Sequence, residues 1–153
     1  MINLHKATVD DCREIHELQI KSFEELLTKY NDTKTNPGAE SYERILERFN
    51  QDFTDYYLIQ YNNMNVGAIR IVRFDVDVCR ISPMFILPEY QGNGFAQQAI
   101  QAVELLYPHA KSWTLDTIKE EEKLCHLYEK MGYKKTGKEE KLQEDMTIIY
   151  YAK

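Results

Sequence analysis

The chain has 153 residues, enough for one domain that buries about two thirds of its unfolded surface, and no second domain is implied. With 43% hydrophobic and 29% charged residues the composition is that of an ordinary soluble globular protein, and no apolar run approaches the ~18 residues of a membrane span. The formal net charge of -6 argues against nucleic acid as the main partner and leaves cationic acceptors such as amines electrostatically reasonable.

Met1 to Ala7 alternates in strand fashion, and Thr8 followed by Asp11 resembles a helix-start box, so a helix is expected through about Leu27 with Cys12, Ile15 and Leu18 on its inner stripe. The polar stretch Thr28 to Ala39, with Asn36-Pro37-Gly38, reads as a loop. Tyr42, Ile45, Leu46 and Phe49 repeat at helical spacing and predict a second, short helix. Tyr56 to Tyr61 and Val66 to Phe74 predict a hairpin around Asn62-Asn63-Met64-Asn65, and Asp75 to Asp77 turns the chain into a strand from Arg80 to Leu87, which Pro88 ends.

Between that strand and the next helix stand Gln91-Gly92-Asn93-Gly94-Phe95-Ala96; Ala96, Ala99, Ile100 and Val103 then recur at helical spacing until Pro108. A strand-to-helix junction offers an anion unpaired amides and the positive end of the helix dipole. Glycine at 92 and 94 permits positive φ and close approach. A Walker loop would need Lys-Ser or Lys-Thr where Phe95-Ala96 stands. A dinucleotide fingerprint has its acid, Asp116, at a suitable distance but meets Gln97 at the third small position. A hairpin at Asn93-Gly94 remains the bland alternative, set against the helical period of the next residues.

Lys111 to Asp116 alternates as a strand, Lys119 to Met131 predicts a helix that Gly132 ends, and Tyr133 to Lys138 and Met146 to Ala152 supply two last strands. The expected order is β-α-α-β-β-β-α-β-α-β-β, about seven strands and four helices in an α/β (α+β) domain spanning 1-153. Cys12, Cys79 and Cys125 are too few and too scattered for a disulfide framework or a zinc site, so packed or surface thiols and no metal are expected. No basic segment followed by an apolar one opens the chain, so a cytoplasmic location is expected.

The hexapeptide resembles the Gln/Arg-x-x-Gly-x-Gly/Ala signature of the GCN5-related N-acetyltransferase (GNAT) superfamily, and Met84 to Tyr90 looks like that family's strand and following turn. Downstream, Leu127-Tyr128-Glu129-Lys130-Met131-Gly132-Tyr133 is similar to the segment that closes the family's last helix. The resemblance implies a GNAT fold with a mixed, mostly antiparallel sheet, and acetyl-CoA as cosubstrate with its pyrophosphate over the amides of Gly92, Asn93, Gly94, Phe95 and Ala96. Gln91 would flank the pyrophosphate. It further implies that two neighbouring strands splay so that pantetheine pairs with backbone around Phe85 and Ile86, with an amide near Ile86 polarising the thioester carbonyl.

By the same resemblance Tyr128 would protonate the leaving sulfur; a packing role beside Leu124 and Leu127 is the alternative. Relatives often carry a CoA-contacting asparagine where this chain has Glu121, and a base where it has Arg80 and Ser82. Asp116 is therefore the candidate base, acting through water, against a plain strand-end carboxylate or helix cap. Arg80 is either a surface charge or an orienting group for an anionic acceptor. The expected function is acetyl transfer from acetyl-CoA to a primary amine by direct attack; the rival is a non-catalytic module of the same fold that binds acyl-CoA or a partner. Exposed strand edges at the C-terminus make a homodimer an expectation.

Overall fold

A computed structural model describes residues 1–153. The elements follow the expected order: β1 Asn3–Lys6, α1 Cys12–Tyr30, α2 Tyr42–Phe49, β2 Thr54–Tyr61, β3 Met64–Asp75, β4 Val78–Ile86, α3 Phe95–Leu106, β5 Ser112–Ile118, α4 Glu122–Lys130, β6 Lys134–Gln143 and β7 Met146–Ala152. The strands form one sheet in the order β1-β2-β3-β4-β5-β7-β6, antiparallel except where β4 runs parallel to β5.

Local chemistry sets most of the boundaries. The Thr8 amide donates to Asp11 Oδ2 at 2.8 Å, the helix-start box expected there, and a short 3₁₀ turn leads into α1. α1 runs three residues past the expected Leu27 because Asn31, in the left-handed region at φ 50°, returns its amide to the Leu27 carbonyl. Ser41 caps α2 by accepting from the Arg44 amide at 3.1 Å. The β2–β3 turn is tighter than expected: only Asn62 and Asn63 form it, both at positive φ, and Met64 and Asn65 already belong to β3.

Both faces of the sheet are covered. Ile69, Ile71, Ile81, Leu115 and Tyr151 pack on one side against Ala99, Ile100 and Val103 of α3 and Tyr128 of α4. Tyr56, Leu58, Ala68 and Phe85 pack on the other against Ile15 and Leu18 of α1 and Ile45 of α2. Each fully buried aliphatic side chain stabilises by about 1.5–3 kcal/mol, so the sheet is clamped from both sides. No helix is long and apolar enough to cross a membrane.

The sheet has several register shifts, and one of them stands beside a gap. β4 and β5 pair only through Val78↔Ser112, Cys79↔Trp113 and Arg80↔Thr114, and then part. On its other side, β4 pairs Ile81 with Ile71 and Met84 with Ile69, so Ser82 and Pro83 together oppose the single residue Arg70. That is a bulge, and a bulge bends the strand that carries it. Pro83 has no N–H to offer a neighbour, and Arg70 Nη1 donates to the Ser82 carbonyl at 2.9 Å, so the bend has both a cause and a brace.

Candidate functional site

The parting of β4 and β5 opens a cleft of about 720 Å³ that passes between the strands and is lined from both faces of the sheet. At its mouth on the α3 side lies the glycine loop. Gly92 and Gly94 sit at φ 81° and 78°, and a Cβ at either would meet nothing within 4 Å. They are therefore glycines for the sake of the left-handed backbone rather than of space. The first amide of the helix to be paired is that of Gln98, which donates to the Gly94 carbonyl at 3.1 Å. Every amide from Gly92 to Gln97 is thus unpaired within the protein, at the positive end of a twelve-residue helix. Phe95 itself is buried, its ring 4.7 Å from that of Tyr61, and only its amide serves this run.

Strand alternation shows which backbone groups face the gap. The Leu87 amide donates to the Val66 carbonyl at 2.8 Å, and Phe85 is paired with Ala68, so these residues spend their backbone groups on β3. Met84 and Ile86, in alternate positions, turn theirs towards β5, where no strand meets them. The Ile86 carbonyl accepts from Gln91 Nε2 at 2.9 Å, which fastens the glycine loop to the end of β4 and leaves the Ile86 amide facing the cleft. Phe85 contributes its ring, packed edge-on against Phe23 of α1 at 5.7 Å.

Tyr128 projects from α4 into the same cleft and is 8% exposed. Burial raises its phenol well above the ordinary value, and the charge of Asp116 and then Cys125 adds to the rise, so it holds its proton throughout the neutral range. Asp116 lines the cleft from β5, just past the last β4–β5 pair, and its Oδ2 accepts from Arg80 Nη2. Arg80 is neither a surface charge nor a free anion binder: with only 22% of its side chain exposed, it joins the two strands at the vertex of the gap.

Glu121 has a role that no local pattern announced. Its Oε2 accepts from Lys29 Nζ at 2.7 Å and from the Tyr30 hydroxyl at 2.5 Å, linking the end of α1 to the start of α4 around the open end of the sheet. Burial works to raise its carboxyl, but the hydrogen bonds from Lys29 and Tyr30 outweigh it and hold the group below the usual glutamate value. Arg70 and the Ser82–Pro83 bulge were also missed. Their signals were present, an arginine within the apolar run Val66 to Val72 and a proline inside a central strand. All three cysteines are free thiols, Cys12 and Cys79 buried and Cys125 half-buried. No group of three or more His, Cys, Asp or Glu is placed to hold a metal ion.

On the α1 face, the cleft is walled by Ser22, Phe23 and Leu26 of α1, by the 32–37 loop, by the β4 bulge, and by Ile148 and Tyr150 of β7 with Leu142 of β6. Asp32 is buried there and spoken for: the amides of Lys34 and Thr35 donate to Oδ1 at 3.1 Å each, and the Thr35 hydroxyl donates to Oδ2. Burial pulls its carboxyl upward, but these donors prevail and hold it below the usual range. Ser22 Oγ is buried in the wall without a partner.

The model of the acetyltransferase (GNAT) family matches residues 13–133. Among solved structures, spermidine N-acetyltransferase from Vibrio cholerae, in complex with CoA and spermine, superposes with a TM-score of 0.78 at 19% identity, over 99% of this chain and 94% of that one. An acetyltransferase from Thermus thermophilus gives 0.76 at 12% identity, over 100% and 96%. The Salmonella typhimurium enzyme that modifies the N-terminal serine of ribosomal protein L7/L12 gives 0.76 at 15%, over 99% and 94%. At such identities the likeness is one of fold. No curated protein sequence matches the chain.

Proposed function

The chain belongs to the acetyltransferase (GNAT) family, and from that premise we propose that it is a single-domain, cytoplasmic N-acetyltransferase moving an acetyl group from acetyl-CoA to a primary amine by direct attack. The observation that carries this reading is the run of unpaired amides from Gly92 to Gln97, opening onto a gap where the Ile86 amide faces inward. A pyrophosphate suits the first group of donors, and a thioester carbonyl about 3 Å from the second would gain charge stabilisation as it becomes an oxyanion. Acetyl-CoA supplies the activated acyl carbon and the thiol leaving group. Coenzyme A and spermine bound to the Vibrio protein give the pairing of donor and amine a precedent in this fold.

In this reading Asp116 receives, through a water, the proton that the arriving ammonium must lose before its nitrogen can attack. Arg80 holds that carboxylate at the vertex. The C–N bond forms as the C–S bond breaks, and Tyr128 gives its phenolic proton to the departing sulfur. The same burial that raises the phenol also disfavours a bare thiolate, so the donated proton answers a need that the site itself creates. The unpaired edges of β1 and β6 are where a homodimer would form.

The second reading, a module that binds acyl-CoA without catalysis, draws on the ion pair that already engages Asp116. Tyr128→Phe separates the two. It is expected to lower kcat by about 10²-fold or more while acetyl-CoA affinity, read by calorimetry, stays within about twofold. An unchanged kcat at every pH removes the acid role, and binding without thiol release from any amine by the unaltered protein favours the module.

A further inference from the structure

The α1 face of the cleft is where an acceptor would approach, and its lining has a definite chemistry. Phe23, Leu26, Pro83, Leu142 and Ile148 are half-buried apolar side chains that line the cavity, Phe23 also packing against Phe85 of the core. Apolar surface kept open inside a cleft is a binding wall. The charged groups on this face are all of one sign: Asp32, Asp116 and Glu140 line it, and no lysine or arginine does. Lys123 and Lys130, the cations of the lining, belong to α4 on the opposite face. An acceptor carrying its own carboxylate or phosphate would therefore meet repulsion from the lining, since Arg80 is already paired, Arg70 stands behind the bulge and donates to the Ser82 carbonyl and Gln51, and Lys138 lies over the Tyr150 ring on exposed β6.

The same carboxylates are poorly arranged for a polycation. Three donors satisfy Asp32, Arg80 engages Asp116, and Glu140, at the exposed rim, accepts from the Tyr150 hydroxyl at 3.3 Å. A second ammonium would have to leave water for a wall of Phe, Leu, Pro and Ile, and desolvating an unpaired charge is costly. One buried polar atom of that wall has no partner, Ser22 Oγ, and it can answer a single N–H or O–H.

We propose that the acceptor is a primary monoamine with an apolar body, its ammonium end at the Asp116 side of the cleft and its body against Phe23, Leu26, Pro83, Leu142 and Ile148. The inference rests on the transferase reading above. It names an acceptor class unlike the polyamine held by the Vibrio relative.

The test measures thiol release from acetyl-CoA by the full chain with n-alkylamines of three to eight carbons, α,ω-diamines of matching length, spermidine and 6-aminohexanoate. kcat/KM is expected to rise about three- to fourfold per added methylene. Hexylamine should exceed 1,6-diaminohexane and 6-aminohexanoate at least tenfold. Leu142→Glu, at a half-buried position on the edge strand β6, should narrow the gap between monoamine and diamine several-fold. A flat chain-length series, or preference for a diamine, spermidine or the amino acid, overturns the inference and leaves the transferase reading standing. No thiol release from any amine, with acetyl-CoA still bound in calorimetry, overturns the transferase reading and the acceptor class with it.

Discussion

The two ends of the β4–β5 pair are made from the same two strands and behave oppositely. At the closed end, Val78 to Arg80 lie in register with Ser112 to Thr114, and buried Cys79 and Trp113 pack into the core. A few residues on, Met84 and Ile86 face Asp116 and Ile118 across a gap with no backbone pairing. Unpaired backbone groups are normally avoided inside a protein, so an end that keeps them is either covered by a ligand or wet. The contrast teaches that the cleft is not a failure of packing. It is produced at one point, by the Ser82–Pro83 bulge, and its opening is maintained by the flanking contacts of β3, Arg70 and Gln91.

The strongest way to break the contrast is to push the open end from behind. Gly67 of β3 lies opposite Ile86, and a Cβ there would stand 2.1 Å from the Phe85 carbonyl oxygen and 3.1 Å from the Ile86 Cα. Both neighbours are backbone, which cannot rotate aside. Gly67→Ala is expected to reach or exceed the upper end of the roughly 1–3 kcal/mol typical of overpacking, read as a lower urea midpoint. It should also weaken acetyl-CoA binding, because the strand that yields carries the Ile86 amide. An unchanged midpoint would mean that β3 does not hold the open end.

A smaller effect is expected at Gly94, one of the two glycines of the loop at the mouth of the cleft. Gly94 has free space around its missing Cβ but a φ of 78°, so Gly94→Ala meets a dihedral penalty of about 1–2 kcal/mol and no clash. Its stability loss should therefore be the lesser of the two, and the loss of acetyl-CoA affinity should dominate because the amides of 94–97 must reorient. Affinity unaltered by Gly94→Ala would detach the glycine loop from anion binding. The pair of substitutions thus distinguishes glycine needed for space from glycine needed for conformation.

How much of the fold and site was legible in the sequence depended on whether the signal was local. Element order followed from periodicity, and the glycine loop and Tyr128 stood out because each is one contiguous motif. Boundaries slipped where tertiary pairing extends a segment. The Lys119 amide pairs with the Thr147 carbonyl, which leads the chain out of β5 and delays α4 to Glu122. β6 runs to Gln143, well past Lys138, yet it is an edge strand solvated on both faces and shows no alternation to detect. The pairings Arg80–Asp116 and Glu121–Tyr30 join residues 36 and 91 positions apart, beyond the reach of any spacing rule.

The smallest effect belongs to the clasp that closes the open end from above, and its value lies in its pH dependence. Glu121 is held below the glutamate reference of 4.5 by Lys29 and Tyr30 against the upward pull of burial. A carboxyl whose folded value is depressed adds stability above its unfolded value and loses it as pH falls through the folded one. Lys29, raised by its bond to Glu121, and Tyr30, raised by burial and then by Glu121, add stability at lower pH that is lost as pH climbs past their ordinary ranges. The stability difference between the unaltered chain and Glu121→Gln should therefore form a plateau, flat from about pH 6 to 9 and falling at both ends. Asp32 is depressed too, but it is present in both proteins and cancels from the difference. With Lys29 largely in solvent, the plateau is expected to be the smallest of the three effects and to shrink as salt is added. If the difference instead stayed constant down to pH 3, Glu121 would be acting as a neutral hydrogen-bond acceptor, and the open end of the sheet would be held by packing alone.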